Sequence, residues 1–68
     1  MKLIVNGKPA EVAPDASVAD VVTALGHPTS GRGVAVALNG EVVARGAWGT
    51  TPVEERDRLE VLAAVQGG

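Results

Sequence analysis

Apolar and polar residues alternate in several short segments of the chain, which is the period-two pattern of β-strands that bury one face. Two Asn-Gly pairs, beginning at Asn6 and Asn39, interrupt these segments, and Asn-Gly favours the type I′ turn of a tight hairpin. Pro9 has no N–H to donate, so its strand is expected at an edge of the sheet. The pattern predicts two hairpins and one last strand, over residues 2–6 and 8–13, 34–38 and 41–43, and 59–65.

The segment between the two hairpins has helical spacing instead. Four of its apolar residues fall at i, i+3, i+4 and i+7, which is one face of a helix. Ser17 is a suitable N-cap, Asp20 lies in the first turn, and Gly26 is expected to end the helix. Residues 44–58 have no clear period and are predicted as a loop with one short helical turn. The predicted buried face of the helix consists of Val18, Val21, Val22 and Leu25.

Strand periodicity also assigns the two faces of the sheet. One helix covers only one face, so one side of each strand packs on the helix and the other side is open. Ile4, Ala37 and Leu62 are expected on the open face, as a modest apolar patch flanked by charge. This patch is a candidate partner-binding surface, or else ordinary exposed surface of the kind that most proteins have. The predicted helix-facing residues are Met1, Leu3 and Val5; Val34, Val36 and Leu38; and Leu59, Val61 and Ala63.

Length and composition narrow the classes of function. The 68 residues are predicted to form one domain, residues 1–68, with a core of aliphatic side chains. The chain has no cysteine and a single histidine, His27, so neither a metal-binding cluster nor a catalytic residue is predicted. Trp48, the one aromatic residue, is expected to anchor a loop on the core.

Charge and hydropathy narrow the range of partners and compartments. The net charge of −2 argues against a nucleic-acid partner, because the chain has no basic stripe and no stacking surface. No apolar run approaches the roughly 20 residues that span a membrane. The N-terminal apolar run reaches Asn6-Gly7 too early for a signal peptide, so a cytoplasmic protein is expected.

The chain ends in Gly67-Gly68, directly after the last predicted strand. Glycine has no Cβ, so two glycines can enter a narrow slot in which any side chain would clash. Together with Gln66, these residues are a candidate flexible tail that presents the carboxylate of Gly68 to a partner's active site. The other interpretations are a frayed terminus without a role and a remnant of cloning.

Several motifs occur in a characteristic order along the chain: LIVNG (3–7), VALNGEVV (36–43), Arg45, Trp48, DRLEV (57–61) and AVQGG (64–68). In these motifs and in the order of its elements the chain resembles the ThiS family, the ubiquitin-like sulfur carriers of thiamine biosynthesis. The resemblance implies an α+β, β-grasp fold, with a mixed sheet of four or five strands and one helix packed across one face. Similar proteins often have Gly-Asp where this chain has Arg56-Asp57, so a differently shaped turn is expected there.

The resemblance also implies a chemistry and a set of partners. A ThiF-like activating enzyme would use ATP to adenylate the carboxylate of Gly68. Sulfur from a cysteine persulfide would then replace AMP and leave a C-terminal thiocarboxylate, a 1-thioglycine at Gly68. Thiazole synthase (ThiG) would receive that sulfur, while Gln66, Gly67 and Gly68 thread into each partner's active site. The chain itself would bind no cofactor and would be a protein co-substrate, not an enzyme.

Two other functions are compatible with the same pattern. The small subunit of molybdopterin synthase is also a β-grasp protein ending in Gly-Gly, and it would form a stable complex with a large catalytic subunit. A β-grasp interaction module or protein modifier is a different class. Such a module would bind through Ile4 and Leu62 without needing the tail, whereas a modifier would be joined to lysines through its terminus.

Overall fold

The computed structural model describes residues 1–27 and 33–63 of the chain. Within them, five strands form one mixed sheet in the order β2-β1-β5-β3-β4. The β1–β5 pair is parallel, and the β1–β2, β3–β4 and β3–β5 pairs are antiparallel. One helix accompanies the sheet, so the predicted β-grasp arrangement is confirmed. The elements are β1 (Lys2–Val5), β2 (Lys8–Glu11), α1 (Val18–Ala24), β3 (Val34–Leu38), β4 (Glu41–Val43), a 3₁₀ helix (Arg45–Thr50) and β5 (Arg58–Ala63).

Both predicted hairpins form at their Asn-Gly turns. Asn6 and Asn39 have φ angles of 51° each, and the glycines after them also have positive φ. These are the conformations that a type I′ turn requires. β2 lies at the edge of the sheet, as Pro9 predicts. It ends at Glu11 instead of the predicted Ala13, and beyond it only Val12 continues the pairing, through hydrogen bonds of 2.9 Å in both directions with Met1.

The helix begins at the predicted N-cap. The hydroxyl of Ser17 accepts a hydrogen bond from the backbone N–H of Asp20 at 3.3 Å, and the Asp20 carboxylate accepts one from the backbone N–H of Ser17 at 2.9 Å. This reciprocal pair is a capping box. At the other end, Gly26 has a φ of 86°, and the N–H of His27 donates to the carbonyl of Val22 at 3.2 Å. Gly26 therefore ends the helix in a Schellman motif, as expected.

Leu25 is not part of the buried helical face, contrary to the prediction. The helix ends at Ala24, so Leu25 is its C-cap, and 42% of its surface is exposed. A seven-residue helix has two turns, too short for a buried residue at i+7. Val18, Val21 and Val22 are buried as predicted.

The core lies between the helix and one face of the sheet. Met1, Val34 and Leu38 are partly buried against it, whereas Ala63, at the end of β5, is exposed despite its predicted position in the core. Ala16 and Val53 are buried residues that periodicity did not identify, because both lie in irregular segments. The other buried residues of the sheet are Leu3, Val5, Val36, Leu59 and Val61.

The segment between β4 and β5 is more regular than predicted, because Arg45–Thr50 form a 3₁₀ helix. Trp48 is buried there, and its indole N–H donates to the carbonyl of Val43 at 2.9 Å. The predicted anchoring role of Trp48 is thus confirmed. The 3₁₀ helix packs against α1, so one tryptophan secures the loop beside the helix.

A four-residue turn, Glu54 to Asp57, leads into β5. The N–H of Asp57 donates to the carbonyl of Glu54 at 3.0 Å, and Arg56 at the third position has a φ of 68°. A positive φ there is the requirement of a type II turn, which favours glycine. The backbone N–H of Arg56 also donates to the carbonyl of Lys2 at 2.7 Å, which ties the turn to β1. Arginine therefore adopts the left-handed conformation that glycine would take, so the expectation of a differently shaped turn is not met.

Candidate functional site

The strand that precedes the C-terminal residues is the central strand of the sheet. β5 pairs with β1 on one side, where Val5 lies opposite Leu59, and with β3 on the other, where Ala35 lies opposite Leu62. A central strand is hydrogen-bonded along both edges and is harder to displace than an edge strand. The C-terminal residues therefore follow a strand that lies in the middle of the sheet and not at its edge.

The two strands beside β5 do not run equally far. β3 accompanies β5 from Leu59 to Ala63, whereas the register with β1 covers only Arg58 and Leu59. Beyond Leu59 the side chain of Asn6, and not the backbone of β1, forms the hydrogen bonds with β5. Its carbonyl oxygen Oδ1 accepts from the N–H of Val61 at 2.8 Å, and its Nδ2 donates to the carbonyl of Val61 at 3.2 Å. The amide side chain therefore acts as one further residue of β1.

The second Asn-Gly turn contacts the opposite end of β5. The Oδ1 of Asn39 accepts from the N–H of Arg58 at 2.9 Å, and its Nδ2 donates to the Asp57 carboxylate at 3.1 Å. The backbone N–H of Asn39 donates to the carbonyl of Arg58 at 2.7 Å. Both turn asparagines thus bind the same strand, one at its beginning and the other near its end.

The open face of the sheet carries an apolar patch beside the end of β5. Leu62 and Val42 are 69% and 83% exposed, the largest exposed fractions among the big apolar side chains of the described residues. The register brings these side chains together, because Ala35 lies opposite Leu62 on β5 and Ala37 lies opposite Val42 on β4. They line a shallow groove of about 160 Å³ together with Glu60. We call Ala35, Ala37, Val42 and Leu62 the open-face patch.

The structure brings two of the three predicted patch residues together. Ala37 and Leu62 both line the groove, whereas Ile4 is half-buried and lies opposite Arg58. Leu62 is four residues further along β5 than Arg58, a separation of about 13 Å at the rise of a strand. Ile4 instead lines a different, more polar groove with Lys2, Glu11 and Glu55.

Val42 is a patch residue that the sequence interpretation missed. The signal for it was present, because antiparallel pairing across Asn39-Gly40 places Val42 opposite Ala37 and hence on the same face. No comparable pattern in the sequence predicts the contacts of Asn6 and Asn39 with β5. Asn6 and Val61 are 55 residues apart in the chain, and no local pattern links them.

The predicted tail residues Gln66, Gly67 and Gly68 lie outside the described residues, so their proposed roles stay predictions. Over residues 1–27 and 33–63, no cluster of three His, Asp or Glu side chains is arranged to hold a metal ion. Nor does any helix in the described part of the chain have the length and apolar character needed to cross a membrane. The chemically distinctive features of the described chain are therefore the held strand and the patch beside its end.

Comparison with known proteins relates this arrangement to a family. The sequence model of the ThiS family matches residues 3–68. A crystal structure of the thiamine biosynthesis protein ThiS from Geobacter metallireducens is 40% identical, with full coverage of both chains and a TM-score of 0.79. A solution NMR structure of a thiamine biosynthesis protein from the same organism is also 40% identical and has a TM-score of 0.83. That alignment covers all of this chain and 88% of the chain in the NMR structure. No curated protein matches the chain. Since the family model spans almost the whole sequence and the fold agrees, the chain belongs to the ThiS family.

Proposed function

We propose that this chain carries sulfur as a thiocarboxylate on Gly68 and donates it to the thiazole ring of thiamine. The observation that carries the proposal is the family match over residues 3–68, which includes the terminal Gly-Gly. Membership of the ThiS family supports a sulfur-carrier role and a partnership with the sulfur-transfer machinery of thiamine synthesis. A small carrier of this family is not itself catalytic.

The chemistry needs activation because a carboxylate resists nucleophilic attack. In the proposed reaction, the carboxylate oxygen of Gly68 attacks the α-phosphorus of ATP, and pyrophosphate leaves. The terminal sulfur of a cysteine persulfide then attacks the acyl carbon and displaces AMP. Reduction of the resulting S–S bond by a thiol frees the thiocarboxylate. Each acyl step resembles other activated acyl transfers, and all catalytic groups belong to the partners, a ThiF-like adenylating enzyme and a thiazole synthase.

The described structure supports such a carrier through β5. Five residues follow Ala63 in the sequence, and five residues span at most about 17 Å when fully extended. A tail of that length can enter an active site only if the folded body is held close to the entrance. The body must therefore dock beside the end of β5.

The open-face patch is the surface that we assign to this docking. It lies at the end of β5, is apolar, and has charged neighbours such as Glu60 and Arg58 on the same face. Exposed leucine and valine side chains give up unfavourable water contact when a partner covers them. We expect Leu62→Asp to keep the fold and to weaken binding to the adenylating enzyme at least tenfold, whereas Ile4→Ala, outside the patch, has a smaller effect.

Intact-mass measurement tests the proposed chemistry. Incubation with the adenylating enzyme, ATP and a sulfur donor should raise the mass of the chain by about 16 Da, the difference between sulfur and oxygen. Deletion of Gly68, or a tag fused after it, should abolish this change and leave the thermal melt unaltered. No mass change with a competent enzyme, or a change that persists without Gly68, contradicts the proposal.

The pathway is tested separately from the chemistry. Both related structures are named as thiamine biosynthesis proteins, which favours thiamine over the molybdenum cofactor as the destination of the sulfur. The thiocarboxylate form should therefore restore thiazole formation when mixed with thiazole synthase. Sulfur transfer to a molybdopterin synthase large subunit instead would support the alternative pathway.

A further inference from the structure

The contact between Asn6 and β5 compensates for the early end of β1. β1 ends at Val5, and Asn6 turns the chain away with a φ of 51°. The backbone N–H of Asn6 still donates to the carbonyl of Leu59 at 2.9 Å. Backbone groups of alternate residues point to the same side of a strand, so the next groups on that side belong to Val61. Without a partner, both the N–H and the carbonyl of Val61 would lack a hydrogen bond on the β1 side.

The Asn6 side chain supplies both missing bonds. Its Oδ1 accepts from Val61 at 2.8 Å and its Nδ2 donates to the same residue at 3.2 Å. Within the described residues, Val61 is the last residue of β5 with hydrogen bonds on the β1 side. Only Leu62 and Ala63 lie between this contact and the C-terminal segment. Asn6 therefore sets where β5 stops being held on both sides.

We propose that Asn6 is a positioning residue for the proposed activation of Gly68, because it keeps the end of β5 in the direction from which the tail enters the partner. This inference rests on the proposed function. A carrier whose strand end is ordered for only part of the time reacts with an apparent affinity reduced by that fraction. Loss of the contact should therefore raise the KM of the adenylating enzyme for the carrier and leave kcat nearly unchanged, since the bound tail is the same.

Asn39 offers a matched control. It has the same φ of 51°, precedes a glycine, and makes two side-chain hydrogen bonds at β5, to Arg58 and Asp57. Its contacts lie at the beginning of the strand, at the opposite end from Ala63. Asn39→Gly and Asn6→Gly both keep a residue that accepts positive φ and remove only the side-chain contacts. The two variants lose comparable interactions, so a difference between them reports position along β5.

The experiment measures adenylation kinetics and amide exchange on the full-length chain. AMP formation by the adenylating enzyme is followed as the carrier concentration is varied, and exchange of the Val61 amide is followed by NMR. We expect Asn6→Gly to raise KM about tenfold, to change kcat by less than about twofold, and to speed Val61 exchange about tenfold. Asn39→Gly should leave both kinetic constants within about twofold of wild type and should speed exchange at Arg58 instead. If Asn6→Gly does not fold, Asn6→Asp, which keeps the acceptor and loses the donor, takes its place with a smaller rise in KM.

The outcomes separate this inference from the proposed function. A wild-type chain that is adenylated while Asn6→Gly has an unchanged KM overturns the role of Asn6 alone. Equal KM increases in the two glycine variants also overturn it, because they would report a general loss of stability. If the wild-type chain is not adenylated at all, the proposed function fails and this inference falls with it.

Discussion

Leu59 and Leu62 lie three residues apart on the same strand, yet Leu59 is fully buried and Leu62 is 69% exposed. The difference arises because successive side chains of a strand point to opposite faces of the sheet and only one face is covered by the helix. Leu59 packs with Val36 and Val22 in the core, whereas Leu62 shares the open face with Val42.

This contrast separates stability from binding. Side chains on the helix face contribute the buried apolar area that holds a domain of 68 residues together, and a domain of this size has little stability to spare. Side chains in the open-face patch contribute little to folding and are free to meet a partner. Substitutions on the two faces should therefore have effects of different kinds. Of four predictions, ordered from the largest effect to the smallest, the first two test this contrast and the last two test the helix cap and the turn at Arg56.

Val22→Asp should unfold the domain. Val22 is completely buried between helix and sheet, and no described side chain in the core can pair with a carboxylate there. The expected loss of about 4 kcal/mol or more is comparable to the whole stability of a small domain. Circular dichroism with a thermal melt is the measurement. The adjacent Thr23→Asp, on the exposed side of the helix, should stay folded, and a cooperative melt for Val22→Asp itself would refute the assigned helix face.

The same substitution at Leu59 and at Leu62, both on β5, should distinguish the two faces of the sheet by its effect on stability. Leu59→Ala removes a side chain with no exposed surface and should cost about 2–5 kcal/mol of unfolding free energy. Leu62→Ala should change it by less than about 0.5 kcal/mol. Urea unfolding of both variants measures the difference. Similar losses at the two positions would mean that the open face is covered in the free protein.

Ser17→Ala should destabilise the N-terminus of α1, the helix that covers one face of the sheet, without exposing the core. The substitution removes the hydroxyl that accepts from the backbone N–H of Asp20, at a cost of about 1 kcal/mol, while the backbone N–H of residue 17 can still donate to the Asp20 carboxylate. The midpoint of urea unfolding should fall accordingly. Asp15→Ala, an exposed change outside the capping box, is the control, and an equal fall in that variant would show that the effect does not come from capping.

Arg56→Gly should have the smallest effect of the four substitutions, and it should stabilise the folded domain. Arg56 has a φ of 68°, a conformation that costs an L-residue about 1–2 kcal/mol and glycine almost nothing. Part of that gain is offset by the greater freedom of glycine in the unfolded chain, so a net gain of about 0.5–1 kcal/mol is expected in urea unfolding. Arg56→Ala removes the same side chain but keeps the unfavourable φ, so it should show no gain. A gain in both variants would trace the effect to the side chain.

Local signals in the sequence account for most of the secondary structure. Asn6-Gly7 and Asn39-Gly40 predicted both hairpins, because the turn conformation depends on those residues alone. Ser17 and Gly26 predicted the start and end of the helix for the same reason. The predicted burial of Leu25 was wrong because the i+7 position lies beyond Ala24, where the helix ends. Arg56 was expected to alter its turn, and the structure shows it in the left-handed conformation that glycine would take.

The candidate site was predictable only in part. Alternation correctly put Ile4, Ala37 and Leu62 on the open face, but the register between strands decides which of them meet. That register separates Ile4 from Leu62 and adds Val42. The tail residues were identified by the chemistry of glycine and by resemblance to a family, and their role awaits the mass experiment.

The sequence by itself determined the order of the elements, the residues that turn the chain, and the face on which each strand residue lies, because these depend on neighbours within a few positions. Tertiary structure alone decided that β5 is central, that both turn asparagines bind it, and that the apolar patch lies beside its end. The Asn6–Val61 contact joins residues 55 positions apart, and such a contact exists only after the strands have paired.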